Sequence, residues 1–197
     1  MIIFEKMTYL TKTYRIKNMI CTRCNEVVSD IFSNNNSKII SVDLGIVKVQ
    51  ILDNFDEAII KKLLEARGFE IIVDVEDIIV EQIKVSITKL FFHEKTNENL
   101  KNSVWLENEI GIPYHKLCSA FSSRTNTTIE KYIILQKIER AKELINYNQM
   151  NFEEISLELG YKNLSHLSSQ FKKIENQSLS EYKKSINSQR TEIDKLL

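Results

Sequence analysis

Cys21-Thr22-Arg23-Cys24 is the stretch whose residue types and spacing best suit bond-making chemistry. Two thiols separated by two residues can converge on one soft ion, and a helix N-terminus favours the thiolate over the thiol. Two thiolates suit linear or trigonal Cu(I), and they bind Zn(II) with added ligands. A redox dithiol and a pair of cysteines that merely pack are two other readings of the same spacing. Cys118 stands alone and reads as a small filler rather than a ligand. His93, His115 and His166 have no ligand-like spacing to one another or to the pair. The chain shows no acid/base pair, nucleophile triad or phosphate-binding loop, so no enzyme is expected.

A second group of residues has chemistry only as a set. Leu106, Ile110, Gly111, Leu117 and Phe121 recur as Ile155, Leu159, Gly160, Leu167 and Phe171, each offset by 49 or 50 positions. In each copy an apolar helix stops at glycine, a short turn follows, and a second helix carries Leu and Phe four apart. That is helix–turn–helix grammar written twice. The second helix of such a unit enters the DNA major groove. If Leu117 and Phe121 point inward at about 100° per residue, His115, Ser119 and Ser122 point outward. With Leu167 and Phe171 inward, Ser165, Ser169 and Lys172 point outward, and Lys162 and Lys173 lie on the flanks. Serine hydroxyls suit base edges or phosphates, and lysines suit phosphates. Between the copies, Ile129 to Leu144 reads as one helix of some 16 residues, roughly 24 Å long. It would hold two readers for successive grooves about 34 Å apart.

The elements that position the thiols lie before residue 75. Tyr14-Arg15-Ile16, Lys38 to Leu44, Ile46 to Leu52 and Glu70 to Val73 are β-branched, strand-like runs. Asp43-Leu44-Gly45 predicts a hairpin between the second and third. Val27, Val28, Ile31 and Phe32 recur at helical spacing after the cysteines. Ile59, Ile60, Leu63 and Leu64 form a second helical stripe, with Asp53 or Asn54 as its cap and Gly68 at its end. The order β-α-β-β-α-β predicts a ferredoxin-like unit with both helices on one sheet face. Val75 to Phe92 reads as an amphipathic helix with Ile79, Ile83, Ile87 and Leu90 on one side, serving either packing or dimerisation. The polar stretch HEKTNENLKN that follows reads as a loop or hinge.

Residues from about Asn97 to Ser185 resemble the DNA-binding domain of AraC-type transcription regulators. The resemblance rests on IEKYIILQKIERAKELI, EEISLELGYKNLSHLSSQFKK and the later SLSEYKK. It implies a sequence-specific binder of double-stranded promoter DNA, with RNA polymerase and a second copy of the chain as further candidate partners. Family members often carry arginine where Ser119 and Ser169 stand, and arginine bidentate to guanine is the commonest specific contact. Specificity here is therefore expected to be weaker or unusual. Matching positions also nominate His115 and Cys118 in the first unit and Leu164 and Ser165 in the second. Leu164 would touch a thymine methyl or help the core.

Residues 12–74 resemble the heavy-metal-associated domain of copper chaperones and metal-transporting ATPases. The carrying stretches are Asn18-Met19-Ile20-Cys21-Thr22-Arg23-Cys24, SVDLGIVKVQI and LLEARGFEI. The resemblance implies Cu(I) or Zn(II) at Cys21 and Cys24. Asn18 replaces the usual glycine, Ile20 replaces a small polar residue, and Phe69 occupies the loop that in the family approaches the metal. Arg23 would repel a metal ion yet offset the negative charge of a dithiolate. A redox role lacks the proline and tryptophan context of thioredoxin-like enzymes, since Pro113 and Trp105 are the sole residues of their types.

Composition bounds these readings. The chain has 197 residues with 27 basic and 27 acidic side chains, so no overall basic excess advertises nucleic acid. Residues 1–85 hold 11 Lys+Arg against 13 Asp+Glu, and residues 86–197 hold 16 against 14. The sign favours DNA on the second half. One proline and four glycines disfavour a many-turned all-β fold. No apolar run approaches the ~18 residues of a membrane span. The opening residues lack the apolar core of a signal peptide, and three cysteines make no closed disulfide framework, so a cytoplasmic protein is expected.

The expectation is thus an α+β chain: a ferredoxin-like domain over 1–74, a connecting helix over 75–95, a double helix–turn–helix domain over 96–186 and a polar tail over 187–197. Its expected role is a transcription regulator responding to a soft metal. The alternative is a metal chaperone or buffer whose helices dock a protein partner.

Overall fold

The computed structural model describes residues 10–51, 54–92 and 102–190, with side chains described through 185. The elements run β1 (Leu10–Lys17), α1 (Thr22–Ser33), β2 (Ser37–Asp43), β3 (Ile46–Ile51), α2 (Glu57–Glu65), β4 (Glu70–Ile72) and α3 (Val75–Phe92). They continue with α4 (Asn102–Ile110), α5 (Tyr114–Thr125), α6 (Ile129–Tyr147), α7 (Phe152–Glu158), α8 (Leu164–Glu175) and α9 (Leu179–Arg190). The chain is therefore mixed α+β, with strands confined, among the described residues, to its first part.

The four strands form one antiparallel sheet in the order β2-β3-β1-β4. The hairpin between β2 and β3 turns at Gly45, whose φ of +73° a residue with a Cβ rarely adopts. Period-two alternation sends Tyr14 and Ile16 of β1 and Val47 and Val49 of β3 to one face. There they form a single core with Val28 and Phe32 of α1, Ile60 and Leu64 of α2, Met19 and Phe69. Both helices thus cover the same face of the sheet. Full burial of such side chains contributes about 1.5–3 kcal/mol each.

Three local expectations need correction. The α2 cap is Asp56, whose carboxylate accepts from the Ala58 and Ile59 N–H groups. Asn54 is not the cap, and Asp53 lies outside the described residues. Of the α2 stripe only Ile60 and Leu64 are buried, while Ile59 and Leu63 are 47% and 40% exposed. A short helix lying on a sheet needs only its i, i+4 row for contact. Finally, α3 is not one-sided: Val85, Ser86, Ile87 and Thr88 are all buried, as is Glu81. Residues 93–95, given to this helix above, and the HEKTNENLKN stretch as far as Lys101 lie outside the described residues.

The backbone groups into two compact units. One gathers the sheet, α1, α2, α3 through Ser86, and α4 and α5 from Ser103 to Asn126. The other gathers the end of α3 with α6 to α9. In the second unit Ile138, Ala141, Leu144 and Ile145 of α6 form a core with Ile155, Leu159, Tyr161, Leu167, Phe171 and Leu179. The α6 helix extends to Tyr147, three residues beyond the expected end. At 19 residues it measures roughly 28 Å. Lys142 pairs with Glu139 on its own helix and, at 3.2 Å, with Glu175, which ties α6 to the end of α8. Helix α9 continues to Arg190, into the segment read as a polar tail. Among the described residues, no helix is long and apolar enough to cross a membrane.

Candidate nucleic-acid interface and thiol pair

Each helix–turn–helix is set by the same few residues. Gly111 and Gly160 end the first helices with φ of +74° and +66°, a left-handed turn that reverses the chain direction. Leu106, Leu117 and Phe121 are fully buried in the first unit, and Ile155, Leu167 and Phe171 in the second. The repeat extends beyond the apolar positions into the caps that follow. Asn126 and Asn176 end α5 and α8 with φ of +54° and +56°. Thr128 and Ser178 then accept backbone N–H groups at the start of the next helices, and Ile129 and Leu179 are buried behind them. The signal was the same offset of 50, carried by polar residues.

With the leucine and phenylalanine rows inward, the opposite faces are open. His115, Ser119 and Ser122 on α5 are exposed. So are Ser165, Ser169, Lys172 and Lys173 on α8, and Lys162 in the turn before it. Cys118 is half-buried. Leu164 is half-buried and packs on the second core. The Ser122 hydroxyl donates to the Cys118 carbonyl at 2.7 Å, and the Ser169 hydroxyl to the Ser165 carbonyl at 2.9 Å. Both hydroxyl protons are thus used within their own helices, and outward these serines present lone pairs. Lys116 and His166 are also exposed here and were not singled out from sequence.

The turn of the second unit is buttressed by aromatic and polar contacts. Tyr161 donates to Gln170 at 2.9 Å and meets the His166 ring edge-on at 5.2 Å. Lys137 of α6 lies 4.9 Å from the Tyr161 ring centre and 5.6 Å from that of Phe91. Burial lowers the Lys137 pKa and pushes the Tyr161 hydroxyl up to about 12.

The thiols sit at the opening of α1. Cys21 is the N-cap residue and Cys24 lies in the first turn, with their sulfurs 3.0 Å apart and both half-buried. The Cys24 thiol lowers the Cys21 pKa by hydrogen bonding, helped by the backbone N–H groups of Cys24 and Arg23 and by the Arg23 charge. Burial, and then the Cys21 thiol, raises that of Cys24. The pair is therefore asymmetric, with Cys21 the readier thiolate. Two sulfurs so close can share one soft ion. Among the described residues no group of three or more His, Cys, Asp or Glu side chains converges as a metal site. Asn18 stands at φ +68°, a left-handed conformation that asparagine tolerates. Phe69 belongs to the sheet's core, at 7% exposure.

The family model of a helix-turn-helix domain matches residues 106–185. No curated protein matches the chain. Among solved structures, the chain is similar to a transcriptional regulator with an AraC-type DNA-binding domain from Chromobacterium violaceum. The two are 20% identical with a TM-score of 0.42, over 45% of this chain and 80% of that one. It is similar to a DNA-binding transcriptional dual regulator from Escherichia coli K-12, 15% identical with a TM-score of 0.47, over 56% and 93%. It is also similar to the DNA-binding domain of the global transcriptional factor AdpA in complex with a target DNA. That match is 16% identical with a TM-score of 0.47, over 57% and 96%. The matched span, residues 106–185, takes in both helix–turn–helix units.

Proposed function

We propose that this chain is an AraC-type transcription regulator that binds promoter DNA through α5 and α8 and takes up a soft metal ion at Cys21 and Cys24. The observation that carries the DNA reading is the duplicated helix–turn–helix. Two copies bury the same leucine and phenylalanine positions and leave His115, Ser119 and Ser122, and Ser165, Ser169, Lys172 and Lys173, open to a groove. Lys162, Lys172 and Lys173 would position the duplex through phosphates, and the serine oxygens would accept from cytosine or adenine amino groups. Cys118 and Leu164 would contribute at the margins of the two helices. In the cytoplasm RNA polymerase, and a second copy of the chain, would be its protein partners.

The metal reading has separate support. The order β-α-β-β-α-β with strand order β2-β3-β1-β4 is that of a ferredoxin-like unit, and the thiols open its first helix as in heavy-metal-associated domains. Cys21 and Cys24 would hold Cu(I), or Zn(II) with ligands from elsewhere. A bound ion changes DNA affinity only by binding the DNA-competent and incompetent arrangements unequally.

Both parts are tested by selecting bound sequences from a pool of random duplexes, with protein free of metal and loaded with Cu(I) or Zn(II). Enrichment of one bipartite motif is expected, with affinity that differs between the states. No enrichment in any state would remove the regulator. Equal enrichment in all states would remove the sensor and leave the regulator.

A further inference from the structure

We infer that α3 is a relay by which occupancy of the thiol pair reaches the first recognition helix, fastened to the thiol loop by Glu81 and to α5 by Arg124. This inference rests on the regulator reading above and specifies how its two sites are coupled.

The first fastening is a buried carboxylate. Glu81 is 4% exposed, and a charge so placed is costly unless it is paired or hydrogen-bonded. It accepts the backbone N–H of Asn18 at 2.8 Å, with the Lys84 ammonium 3.8 Å away. Asn18 is the hub of the thiol loop. Its side-chain amide donates to the Gly68 carbonyl at 2.9 Å, and its own carbonyl lies 3.9 Å from the Cys24 sulfur. One residue therefore touches a thiol, the loop before β4 and α3. One turn further along the helix, Val85 lies 3.3 Å from where a side chain on Gly45 would begin. The helix is closely fitted to the hairpin end of the sheet and cannot slide past the thiol loop unnoticed.

The second fastening lies one turn before Glu81, on the same helical face, since positions 77 and 81 are i, i+4. The Arg124 guanidinium, at the end of α5, meets Asp74 at 2.9 Å, Glu76 at 2.9 Å and Asp77 at 3.7 Å. Acidic residues at a helix start are ordinary. One arginine from the end of a recognition helix reaching three of them is not, because nothing in the helix–turn–helix core requires it. These pairs are half-exposed and therefore individually weak. That suits a contact that must shift with a ligand.

The path runs from Cys24 through Asn18 and Glu81 to Asp77 and Arg124, and so to α5. Bridging both sulfurs by one atom with bonds of about 2.3 Å holds them about 3.8 Å apart at a tetrahedral angle, and farther apart at the wider angle of two-coordinate Cu(I). In the present arrangement they are 3.0 Å apart. That change falls on the loop that Asn18 organises.

The test uses the sole tryptophan, Trp105 on α4, as a reporter of the first helix–turn–helix. Phenylarsine oxide at one equivalent bridges close thiol pairs: two As–S bonds form, and the oxo group leaves as water with the two thiol protons. Loading is verified by intact mass, with Cys24→Ser as the unbridged control. In the unsubstituted protein the adduct is expected to shift Trp105 emission and to change affinity for the selected duplex by about fivefold or more. Glu81→Ala and Arg124→Ala should bridge equally well yet respond less than about twofold. Glu81→Gln should respond like the unsubstituted protein, because its amide oxygen still accepts the Asn18 N–H. A Glu81→Ala variant that merely misfolds would show it in circular dichroism, and exposed Arg124→Ala then carries the test. An adduct with unchanged Trp105 emission and unchanged affinity overturns the relay, as do full responses in both alanine variants. Failure of every state to select a duplex, with the Trp105 response intact, sinks the regulator and leaves the relay standing.

Discussion

The two helix–turn–helix units share a skeleton and differ in how their second helices are held. Helix α8 begins at Asn163, whose side chain accepts the His166 N–H at 2.9 Å, and α7 before it carries a capping box between Asn151 and Glu154. Helix α5 begins at Pro113, which offers no side-chain cap, and its Tyr114 N–H is met at 3.2 Å by Glu107 from α4. At the other end, Arg124 of α5 is engaged by Asp74, Glu76 and Asp77, whereas Lys172 and Lys173 of α8 stand exposed. The second unit caps the starts of its helices locally, and the end of α8 is met by Lys142 of α6. The first borrows a neighbouring helix at one end and the start of α3 at the other. Repeated apolar residues set the fold, and the unrepeated polar ones decide what each copy answers to.

The largest test of this equivalence is at the shared core. Phe121→Ala and Phe171→Ala each remove a fully buried ring and should each cost about 3–5 kcal/mol in urea unfolding. A loss at one site alone would mean that the two skeletons do not do the same structural work. Next come the turns. Gly111→Ala meets no atom within 4 Å, and Gly160→Ala meets only the Lys137 ammonium at 3.6 Å. Both should therefore cost backbone strain alone, about 1–2 kcal/mol each. Smaller again is the cap: Asn163→Ala should lower stability by about 1 kcal/mol. Thermal melts that place it level with the Phe171 variant would show that the cap is not a local device.

Much of this was legible in the chain. The strand runs, the hairpin at Gly45 and the inward rows of both repeats follow from periodicity, because side-chain direction on a strand or helix is fixed by spacing. Reading failed where the deciding partner is remote or where several equivalent residues compete. Asp53, Asn54 and Asp56 are all competent caps within four positions, and only the backbone path into α2 selects Asp56. Ile59 and Leu63 are as apolar as Ile60 and Leu64, but a helix of 9 residues meets the sheet along one row. The contacts from Arg124 to Asp74 and from Glu81 to Asn18 span 50 and 63 residues, and nothing in local pattern announces them. Asn126 and Asn176 share the repeat offset, but polar caps carry no apolar periodicity, so the inward rows do not reveal them.

The finest contrast between the two units concerns phosphate. A lysine that neutralises a DNA phosphate contributes about 0.9 to the slope of log affinity against log salt. The Lys172→Ala, Lys173→Ala double variant should flatten that slope by about 2, measured by fluorescence anisotropy on the selected duplex across a salt series. Arg124→Ala removes one cation of the same charge from the matching end of α5. Its guanidinium is already matched by three carboxylates of its own chain. A charge matched in this way releases no DNA counterion, so the slope should stay unchanged while the thiol pair is unbridged. If Arg124→Ala also flattened the slope by about 1, the guanidinium would be leaving its carboxylates for phosphate. The first unit would then read DNA as freely as the second, and its tether to α3 would open on the duplex itself.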